Sequence, residues 1–315
     1  MSMRLSRFAK FAWITLGYNI LVILWGAYVR ASGSGAGCGS HWPLCNGVVL
    51  PRALQVETVI EFAHRVSSGL ALILVIILFI WGWRTQAKGS PVRLGIGLSM
   101  LFILTESLVG AALVLFSWVA HDQSVARVIS ISIHLINTFL LLASLTLTAW
   151  WASGGNKVKI VGQGFILWAL TAGLIAVLML GVSGAITALG DTLFPSGSLA
   201  EGIQQDFVPT AHFMIRLRIW HPIIAIITGV YAVLLALLSG VSADQPLQKK
   251  LSWAVGIIFC MQMLAGLINL VLLAPIGMQV LHLLLADLAW IVLVLLAATI
   301  LGEQPSLSMF NNQLG

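Results

Sequence analysis

The sequence predicts an all-α integral membrane protein with eight transmembrane helices, from its composition, its apolar runs and the distribution of its positive charges. Hydrophobic residues make up 59% of the 315 residues and charged residues only 8%, and the mean hydropathy is +1.02. Soluble domains are about 25% charged. A water-exposed surface cannot be built from this composition, which excludes a soluble enzyme fold.

The apolar runs predict where the spans lie, because a membrane-spanning helix needs about 20 such residues. The eight predicted spans are residues 11–29, 58–83, 94–118, 124–151, 162–181, 208–240, 251–273 and 278–301. The first run follows basic residues, as the apolar part of a signal peptide would, but it is too long for one. We therefore expect it to be retained as a helix.

The positive charges indicate membrane topology rather than binding to nucleic acid. Of the 16 Lys and Arg residues behind the net charge of +6, ten, including every lysine, fall on one side of the predicted spans. These ten are Arg4, Arg7, Lys10, Arg84, Lys88, Arg93, Lys157, Lys159, Lys249 and Lys250. The positive-inside rule then predicts a multi-pass membrane protein with both termini in the cytoplasm.

The other six positive residues are all arginines at outer helix ends or in outer loops. They are Arg30, Arg52, Arg65, Arg127, Arg216 and Arg218. One interpretation is that each arginine extends to the membrane interface. The alternative is that their planar guanidinium groups bind the carboxylates of an anionic ligand near the outer face.

An internal repeat divides the chain into two halves, residues 1–155 and 156–315. Motifs around Gly26 and Gly110 resemble motifs around Gly184 and Gly266, at offsets of roughly 150–160 residues. Each half holds an even number of spans, so both halves enter the membrane in the same direction. We expect two tandem four-helix bundles related by a pseudo-twofold axis along the membrane normal.

Four histidines lie inside predicted spans, whereas His41, His121 and His212 lie in or beside outer loops. The four are His64, His134, His221 and His282, on spans two, four, six and eight. All lie a few turns from the outer helix end, so they share one layer of the membrane, and ionisable residues in such a layer indicate function. Glu106 and Asp287 also lie within spans. They either take part in proton movement or pair helices.

Two imidazoles in each half, with no accompanying cysteine and few carboxylates, favour haem over a bare metal ion. Zinc takes three or four protein ligands, and two imidazoles would leave a copper ion with too few ligands. Haem brings four nitrogen ligands of its own and needs only axial ligands from the protein. The sequence predicts a bis-histidine haem in each bundle, with propionates facing outer arginines, namely Arg30, Arg65, Arg127, Arg216 and Arg218.

The two histidine sites differ in their neighbours. Glu61 lies three residues before His64 on the same helix face, whereas the residue three before His221 is Arg218. Glu61 either pairs with Arg65 at i,i+4 or serves as an acid beside a haem, where it moves protons or stabilises a cationic intermediate. The second interpretation predicts a catalytic site in the first half and an electron relay in the second.

The first outer loop contains two close cysteines, Cys38 and Cys45, which are predicted to form a disulfide because the outer side is oxidising. The pair is either structural or an exchangeable thiol pair that passes reducing equivalents to the nearby haem. Cys260, in the seventh span, is expected to be a small buried core residue.

Together these features resemble the bacterial heme A synthase family over nearly the whole chain. The resemblance rests on the Glu61-x-x-His64-Arg65 motif, the stretch 26–35 that leads into the cysteine loop, the segment 133–138 and the duplicated four-helix bundle. It implies an oxidoreductase that converts a methyl group of haem O to a formyl group, which gives haem A for terminal oxidases, with haem b as cofactor.

The resemblance also implies a role for each matching residue. His64 and His134 would flank the iron of the haem O substrate, and His221 and His282 would ligate haem b. Glu61 would be the catalytic carboxylate, and the two loop cysteines match the family's outer-loop pair. The implied partners are haem O synthase, a quinol or thiol electron donor and membrane lipid, with no nucleic acid.

The second half also departs from the first at the residue after the histidine, since Pro222 stands where the first repeat has Arg65. Arg216 or Arg218 is then left to meet the propionates of the second haem. The outer loop at residues 190–210 is long, and no role is predicted for it.

Two other functions remain open from the sequence. A di-haem cytochrome b that passes electrons from quinol needs the four histidines but has no use for an acid on one side only. A haem transporter or chaperone explains the arginines and the histidine layer and would bind haem without changing it.

Overall fold

The computed structural model describes residues 5–51 and 55–302, and in these ranges the chain is nearly all helical, with no sheet. The helices are α1 (Arg7–Ala31), α2 (Val56–Thr85), α3 (Pro91–Leu115), α4 (Val125–Ala152), α5 (Phe165–Leu193), α6 (Leu199–Asp206), α7 (Phe213–Arg218), α8 (Trp220–Val241), α9 (Pro246–Val271) and α10 (Ile276–Gly302). A short 3-10 helix, Ser34–Ala36, follows α1. Arg4 and Arg52, which the sequence analysis singled out, lie outside the described residues.

Within the described residues, eight segments are long and apolar enough to cross a membrane. The sixth of these, Phe213–Val241, consists of the consecutive helices α7 and α8. Pro222 is accommodated there because it lies in the first turn of α8, where a proline is tolerated. The predicted fold, a multi-pass all-α membrane protein with eight spanning helices, is confirmed.

Local sequence explains where several spans begin. Ser6, Ser90 and Ser124 each accept a hydrogen bond from a backbone N–H in the first turn of α1, α3 and α4. Pro91 and Pro246 occupy the first turn of α3 and α9, where no helical hydrogen bond is lost. These spans therefore start at residues suited to helix N-termini.

The spans pack as two rings of helices. In the N-terminal bundle, defined as α1–α4, both α1 and α3 contact α2 and α4. In the C-terminal bundle, defined as α5 and α7–α10, both α5 and α9 contact α8 and α10. As a result α2 faces α4 across the first ring, and α8 faces α10 across the second. The pseudo-twofold relation between the bundles remains a prediction.

The two bundles meet through α1, α4, α5 and α10. Phe139 in α4 and Trp290 in α10 stack with ring centroids 5.3 Å apart, and the Trp290 indole N–H donates to the Phe139 carbonyl over 2.7 Å. A Cβ at Gly181 in α5 would lie 3.0 Å from a methyl carbon of Leu135 in α4. The glycine thus permits α5 to approach α4 closely.

The described members of the predicted cytoplasmic set lie at one end of the helices. They occupy the start of α1, α3 and α9, the end of α2 and the adjoining loops, and comprise Arg7, Lys10, Arg84, Lys88, Arg93, Lys157, Lys159, Lys249 and Lys250. At this end the Trp13 indole donates to Ser153 Oγ over 3.1 Å and the Lys159 N–H donates to the Leu301 carbonyl over 2.9 Å. Their assignment to the cytoplasmic side remains a prediction.

The fifth predicted span, residues 162–181, is wrong at its outer end, because α5 continues to Leu193. Small and polar residues at 181–187 lower the hydropathy there, but a helix keeps its backbone hydrogen bonds satisfied inside a membrane. The loop predicted at residues 190–210 begins later for this reason, and it contains the short helix α6.

The expectation that Cys260 is a buried core residue is also wrong, since its side chain is exposed on α9. Lipid tails are as apolar as a protein interior. Hydrophobicity therefore does not reveal which face of a spanning helix is buried.

Candidate functional site

The four histidines of the predicted layer lie at corresponding positions of their spans. His64 is on α2, His134 on α4, His221 on α8 and His282 on α10, each in the second or third turn from the start of its span. These helices are the pairs that face each other across the two rings. Each bundle therefore carries one pair of histidines on opposed helices.

Each histidine ring lies against a glycine of a neighbouring helix. If each glycine were an alanine, its Cβ would lie close to Cε1 of the facing imidazole. The distances are 2.9 Å for Gly26 and His64, 3.9 Å for Gly110 and His134, 3.0 Å for Gly184 and His221, and 3.0 Å for Gly266 and His282. Three of these contacts leave no space for a Cβ unless the imidazole moves. The contact between Gly110 and His134 leaves enough space. The glycines of the sequence repeat are thus the ones that touch the histidines.

In the C-terminal bundle, the rings of His221 and His282 lie with centroids 6.4 Å apart and planes at 87°. A metal–nitrogen distance of about 2.0–2.1 Å would place the centroids of two axial imidazoles about 6–6.5 Å apart. His221 Nδ1 is 3.0 Å from Ser183 Oγ, which leaves Nε2 for a metal. Gln262 Nε2 lies 3.4 Å from His282 Nε2 and would have to turn aside for ligation.

This geometry fits haem better than a bare metal ion. Among residues 5–51 and 55–302 no three or more His, Cys, Asp or Glu side chains are gathered so that they could hold an ion. Two opposed imidazoles at the observed spacing meet the axial needs of a haem iron, because the porphyrin supplies the equatorial ligands. The C-terminal pair, for which this spacing is observed, is therefore suited to hold haem.

The N-terminal pair has different neighbours. His134 Nδ1 lies 3.4 Å from the carboxylate oxygen Oε1 of Glu106 on α3. His64 Nδ1 is buried without a hydrogen-bond partner in the described part of the chain. The structure thus places Glu106 next to a histidine of the predicted layer. From the sequence, its role was open between proton movement and helix pairing.

Glu61 is 3% exposed, and both of its carboxylate oxygens are bound by other groups. Oε2 accepts the backbone N–H of Cys38 over 2.8 Å. Oε1 accepts the Arg65 guanidinium, with Nε at 3.1 Å, as an i,i+4 ion pair. The pairing alternative considered from the sequence is therefore the observed arrangement, and the catalytic role of Glu61 remains a prediction.

Arg65 and Thr58 fasten the cysteine loop to α2. Arg65 Nη1 donates to two loop carbonyls over 2.5 and 2.6 Å, those of His41 and Leu44. The Thr58 hydroxyl donates to the Gly37 carbonyl over 2.7 Å. Thr58 was missed in the sequence, although its i, i+3, i+7 spacing with the glutamate and Arg65 places all three on one helix face.

The cysteine loop is closed by the predicted disulfide between Cys38 and Cys45. Both residues are buried, at 0% and 1% exposed. The Cys38 N–H that binds Glu61 belongs to this closed loop, so the disulfide and the acid are neighbours. Whether the cysteine pair is structural or undergoes exchange remains open.

Arg30 connects the two bundles at their outer ends. Its guanidinium donates to three acceptors, the Ala188 carbonyl at 2.7 Å and Thr192 Oγ1 at 3.0 Å on α5, and Gln279 Oε1 at 2.9 Å on α10. An arginine predicted to meet a propionate is thus used to hold α1 against the second half.

Arg218 fastens the outer segment of the C-terminal bundle. It donates to Asp191 Oδ1 over 3.1 Å and to Asp206 Oδ1 over 3.0 Å. These contacts join the start of the sixth span to the end of α5 and to α6. They give the two aspartates a structural role that the sequence did not predict.

Arg127 and Arg216 differ in how far their donors are used. Arg127 Nη1 donates to the carbonyls of Ala120 and Asp122 over 2.7 and 2.6 Å, which closes the turn between α3 and α4. Arg216 is exposed, and its side chain makes no hydrogen bond to the described residues. Of the five propionate-binding predictions, Arg216 is thus the one whose guanidinium is free in the described part of the structure.

Three other polar residues from the sequence analysis lie in distinct environments. Asp287 on α10 is 0% exposed, and neither carboxylate oxygen has a hydrogen-bond partner among the described residues. His212 caps α7 by accepting the Met214 N–H over 3.4 Å, which gives it a structural role. His121 is exposed in the loop between α3 and α4.

Comparison with known proteins identifies relatives for most of the chain. A family model described as cytochrome oxidase assembly protein (COX15-CtaA) matches residues 9–294. A Thermus thermophilus protein named protoheme IX farnesyltransferase is 53% identical over 296 residues, which cover 94% of this chain and 49% of that protein. The chain therefore spans about half the length of this relative.

Two further relatives are named heme A synthase. The protein from Staphylococcus carnosus is 33% identical over 209 residues, which cover 64% of each chain. The protein from Geobacillus kaustophilus is 39% identical over 135 residues, which cover 43% of this chain and 42% of that protein.

Proposed function

This chain belongs to the cytochrome oxidase assembly protein family, and on that premise we propose that it is a heme A synthase, which oxidises a methyl group of haem O to a formyl group. Relatives that carry this name support the proposal. The observation that carries it is the pair of histidines on opposed helices in each bundle. An enzyme that modifies one haem and uses another as cofactor needs two such sites.

The chemistry defines what the two sites must do. Converting a methyl to a formyl group removes four electrons and adds one oxygen atom. With dioxygen as the oxidant, two successive hydroxylations and the loss of one water balance this change, and each hydroxylation takes two further electrons from a donor and forms one water. The protein then needs a substrate site, a group that handles protons and a route for the donor's electrons. A bound haem b supplies one-electron transfer, and His221 and His282 would hold it. His64 and His134 would hold the substrate haem from its two faces.

The two halves then have separate tasks. We assign the substrate haem to residues 1–155 and the cofactor haem to residues 156–315. The support is a difference in the polar groups next to the histidine rings. Glu106 lies 3.4 Å from His134 Nδ1, whereas the polar partners of His221 and His282 in the described structure are the neutral side chains Ser183 and Gln262. A site that carries out proton-coupled oxidation needs acidic groups, whereas an electron relay does not.

Glu61 is the residue that we assign to proton transfer. Its two oxygens are bound by the Cys38 N–H and by Arg65, so the carboxylate is held as an acceptor. Taking a proton from the substrate requires one of these donors to release its oxygen. Movement of the cysteine loop or of the Arg65 side chain is therefore expected during turnover.

The proposal places the protein in the bacterial cell membrane with both termini in the cytoplasm and the histidines toward the outer face. The positive residues gathered at the opposite end of the helices support this orientation. Haem O synthase would supply the substrate, and a quinol or thiol donor would supply electrons at the outer face. Among the outer arginines that the structure describes, Arg216 is the one whose side chain makes no hydrogen bond, and we assign it to a haem propionate.

Pigment extraction from the detergent-purified full chain, with mass identification of the haems, tests the proposal. We expect haem b together with haem O, a hydroxylated haem or haem A, and an increase in haem A on incubation with haem O, reductant and dioxygen. Haem b alone, in both bundles and unchanged by incubation, would replace the synthase with a di-haem cytochrome. A purified chain without haem would overturn the argument from the histidines.

Prenyl transfer to haem is a second candidate, because the Thermus relatives are named protoheme IX farnesyltransferase. The match covers only 49% of those proteins, so the name can refer to their remaining half. Incubation with haem b and farnesyl diphosphate separates the two functions. Formation of haem O would favour the transferase, and a formyl product made from haem O would favour the synthase.

A further inference from the structure

Glu106 is a membrane-embedded carboxylate that the proposed reaction does not use, and it lies beside a histidine of the N-terminal pair. Its Oε1 atom on α3 is 3.4 Å from His134 Nδ1 on α4. The two side chains are 17% and 31% exposed. His134 Nδ1 has no aligned hydrogen bond within the described residues, so the contact is one of proximity and charge that a small ring rotation would convert to a hydrogen bond.

A polar cluster between α3 and α4 orients the carboxylate. Asn137 Oδ1 faces the Thr105 hydroxyl over 2.6 Å, and the Asn137 amide nitrogen faces the Phe102 carbonyl, which can only accept, so the nitrogen is the donor. That nitrogen donates to the Phe102 carbonyl over 2.9 Å and to Glu106 Oε2 over 2.5 Å. Glu106 is therefore held as an acceptor by a neighbour whose own hydrogen bonds fix its orientation.

The other oxygen of Glu106 is the one that faces the imidazole. The Thr138 hydroxyl lies 2.5 Å from Oε1 and 2.9 Å from the His134 carbonyl, so its proton is shared between two acceptors. A carboxylate oxygen can accept more than one donor. Oε1 is therefore available to the His134 N–H beside Thr138.

The other three histidines of the layer have no such partner in the described part of the chain. His221 Nδ1 faces the neutral hydroxyl of Ser183. His64 Nδ1 and His282 Nδ1 have no hydrogen-bond partner there. Within the described residues, a charged acceptor therefore faces the Nδ1 atom of His134 and not those of the others.

We infer that Glu106 is a positioning residue for His134: it accepts the Nδ1–H and thereby presents Nε2 to the iron of the substrate haem. This inference rests on the proposed function, because it requires His134 to ligate a haem. Metal-bound histidines commonly give their other N–H to a carboxylate, which fixes the tautomer and strengthens the nitrogen donor. A stronger donor stabilises ferric over ferrous iron, so the haem in the N-terminal bundle has the lower reduction potential.

The test measures the reduction potential of each haem in the purified full chain reconstituted with haem b. His134→Ala and His282→Ala assign the two optical signals to the two bundles. Glu106→Gln keeps the size of the side chain and removes its charge. We expect the His134-dependent haem to titrate at higher potential, with ferric affinity about 10–100-fold weaker, where each tenfold selective loss corresponds to about 59 mV. The other haem should not change.

Two matched variants separate this electronic effect from a disturbance of the fold. Thr138→Val removes the competing donor at Oε1, so the same haem should shift to lower potential, opposite in sign to Glu106→Gln. Ser183→Ala removes the neutral partner of His221 and should leave the N-terminal haem unchanged. If Glu106→Gln does not accumulate, the sign of the Thr138→Val shift decides the inference.

Two results would overturn the inference while leaving the proposed function intact. In one, Glu106→Gln leaves the potential and spectrum of the His134-dependent haem at their wild-type values. In the other, both haems shift alike, which would indicate a structural effect. A wild-type chain that binds no haem would overturn the proposed function itself, and the inference with it.

Discussion

The two histidine pairs occupy corresponding places in the two bundles, but the groups around them differ in charge. In the described structure, the polar side chains at the rings of the C-terminal pair are neutral, namely Ser183 and Gln262. The N-terminal pair has Glu106 at one ring and Glu61 one turn before the other. The comparison teaches that one glycine–histidine framework is used twice and that acids are added where proton chemistry is proposed.

The residue three positions before the histidine also helps to hold an outer segment in each bundle, but it is an acid in the first bundle and a base in the second. In the N-terminal bundle, the acid Glu61 and the base Arg65 on α2 hold the cysteine loop. In the C-terminal bundle, the base Arg218 holds α5 and α6 through Asp191 and Asp206. Position 61 and its counterpart 218 thus share a structural task, which makes it necessary to separate that task from catalysis.

The largest effect is expected from Glu61→Gln, which keeps the size of the side chain and removes the charge. Turnover of haem O should fall about 10²–10⁴-fold, the usual contribution of an acid–base group, while haem content stays close to wild type. The rate of haem A formation per bound haem measures this. Thr58→Val is the matched control, because it removes another anchor of the same loop without touching the acid.

We expect Thr58→Val to retain most of the wild-type turnover. Equal losses in the two variants would mean that Glu61 acts by fastening the loop. The proposed functional difference between positions 61 and 218 would then disappear.

A smaller effect is expected from alanine at the glycines that face the histidines. Gly184→Ala places a Cβ 3.0 Å from His221 Cε1, so the ring must move and haem in the C-terminal bundle should be lost or turn high-spin. Gly110→Ala leaves 3.9 Å to His134 Cε1 and should retain its haem. Haem content per chain and the reduced-minus-oxidised spectrum measure both variants.

Helix propensity sharpens the reading of this pair of glycine variants. Alanine is favoured over glycine in a helix interior by up to about 1 kcal/mol. Loss of haem from Gly184→Ala alone is therefore a steric effect on the ligand rather than a loss of helix. Equal haem content in the two variants would contradict the assigned difference between these contacts.

The smallest effect is expected at Arg30, which joins the bundles without touching a histidine ring in the described contacts. Arg30→Leu removes the donor to acceptors on α5 and α10, and hydrogen bonds from a charged group are worth about 1.5–3 kcal/mol each. We expect a lower Tm in detergent, which thermal unfolding monitored by tryptophan fluorescence measures. Arg30→Lys, which keeps the charge, should recover part of the loss.

An unchanged Tm in Arg30→Leu would show that the outer ends of the bundles are not coupled through this residue. A lower Tm with unchanged reduction potentials would show that the coupling is mechanical and that the two haem sites remain independent.

The sequence by itself determined the class of protein and the main ingredients of the site. Eight apolar runs are sufficient to predict eight spans, because the thickness of the bilayer sets the length of a helix that crosses it. The histidines and glycines could be found for a similar reason: their spacing repeats along the chain, and a polar ring inside a span is conspicuous. The cysteine pair was predicted from its position in one short outer loop.

Only the tertiary structure decided which polar groups meet. Glu106 and His134 lie on different helices, and their contact depends on how α3 and α4 are rotated about their axes. Hydropathy does not encode that rotation in a membrane, since lipid and protein interior are equally apolar. For the same reason two predictions from the sequence differ from the structure. Arg30 was expected to contact a ligand but donates to acceptors on α5 and α10. Cys260 was expected to be buried but is exposed.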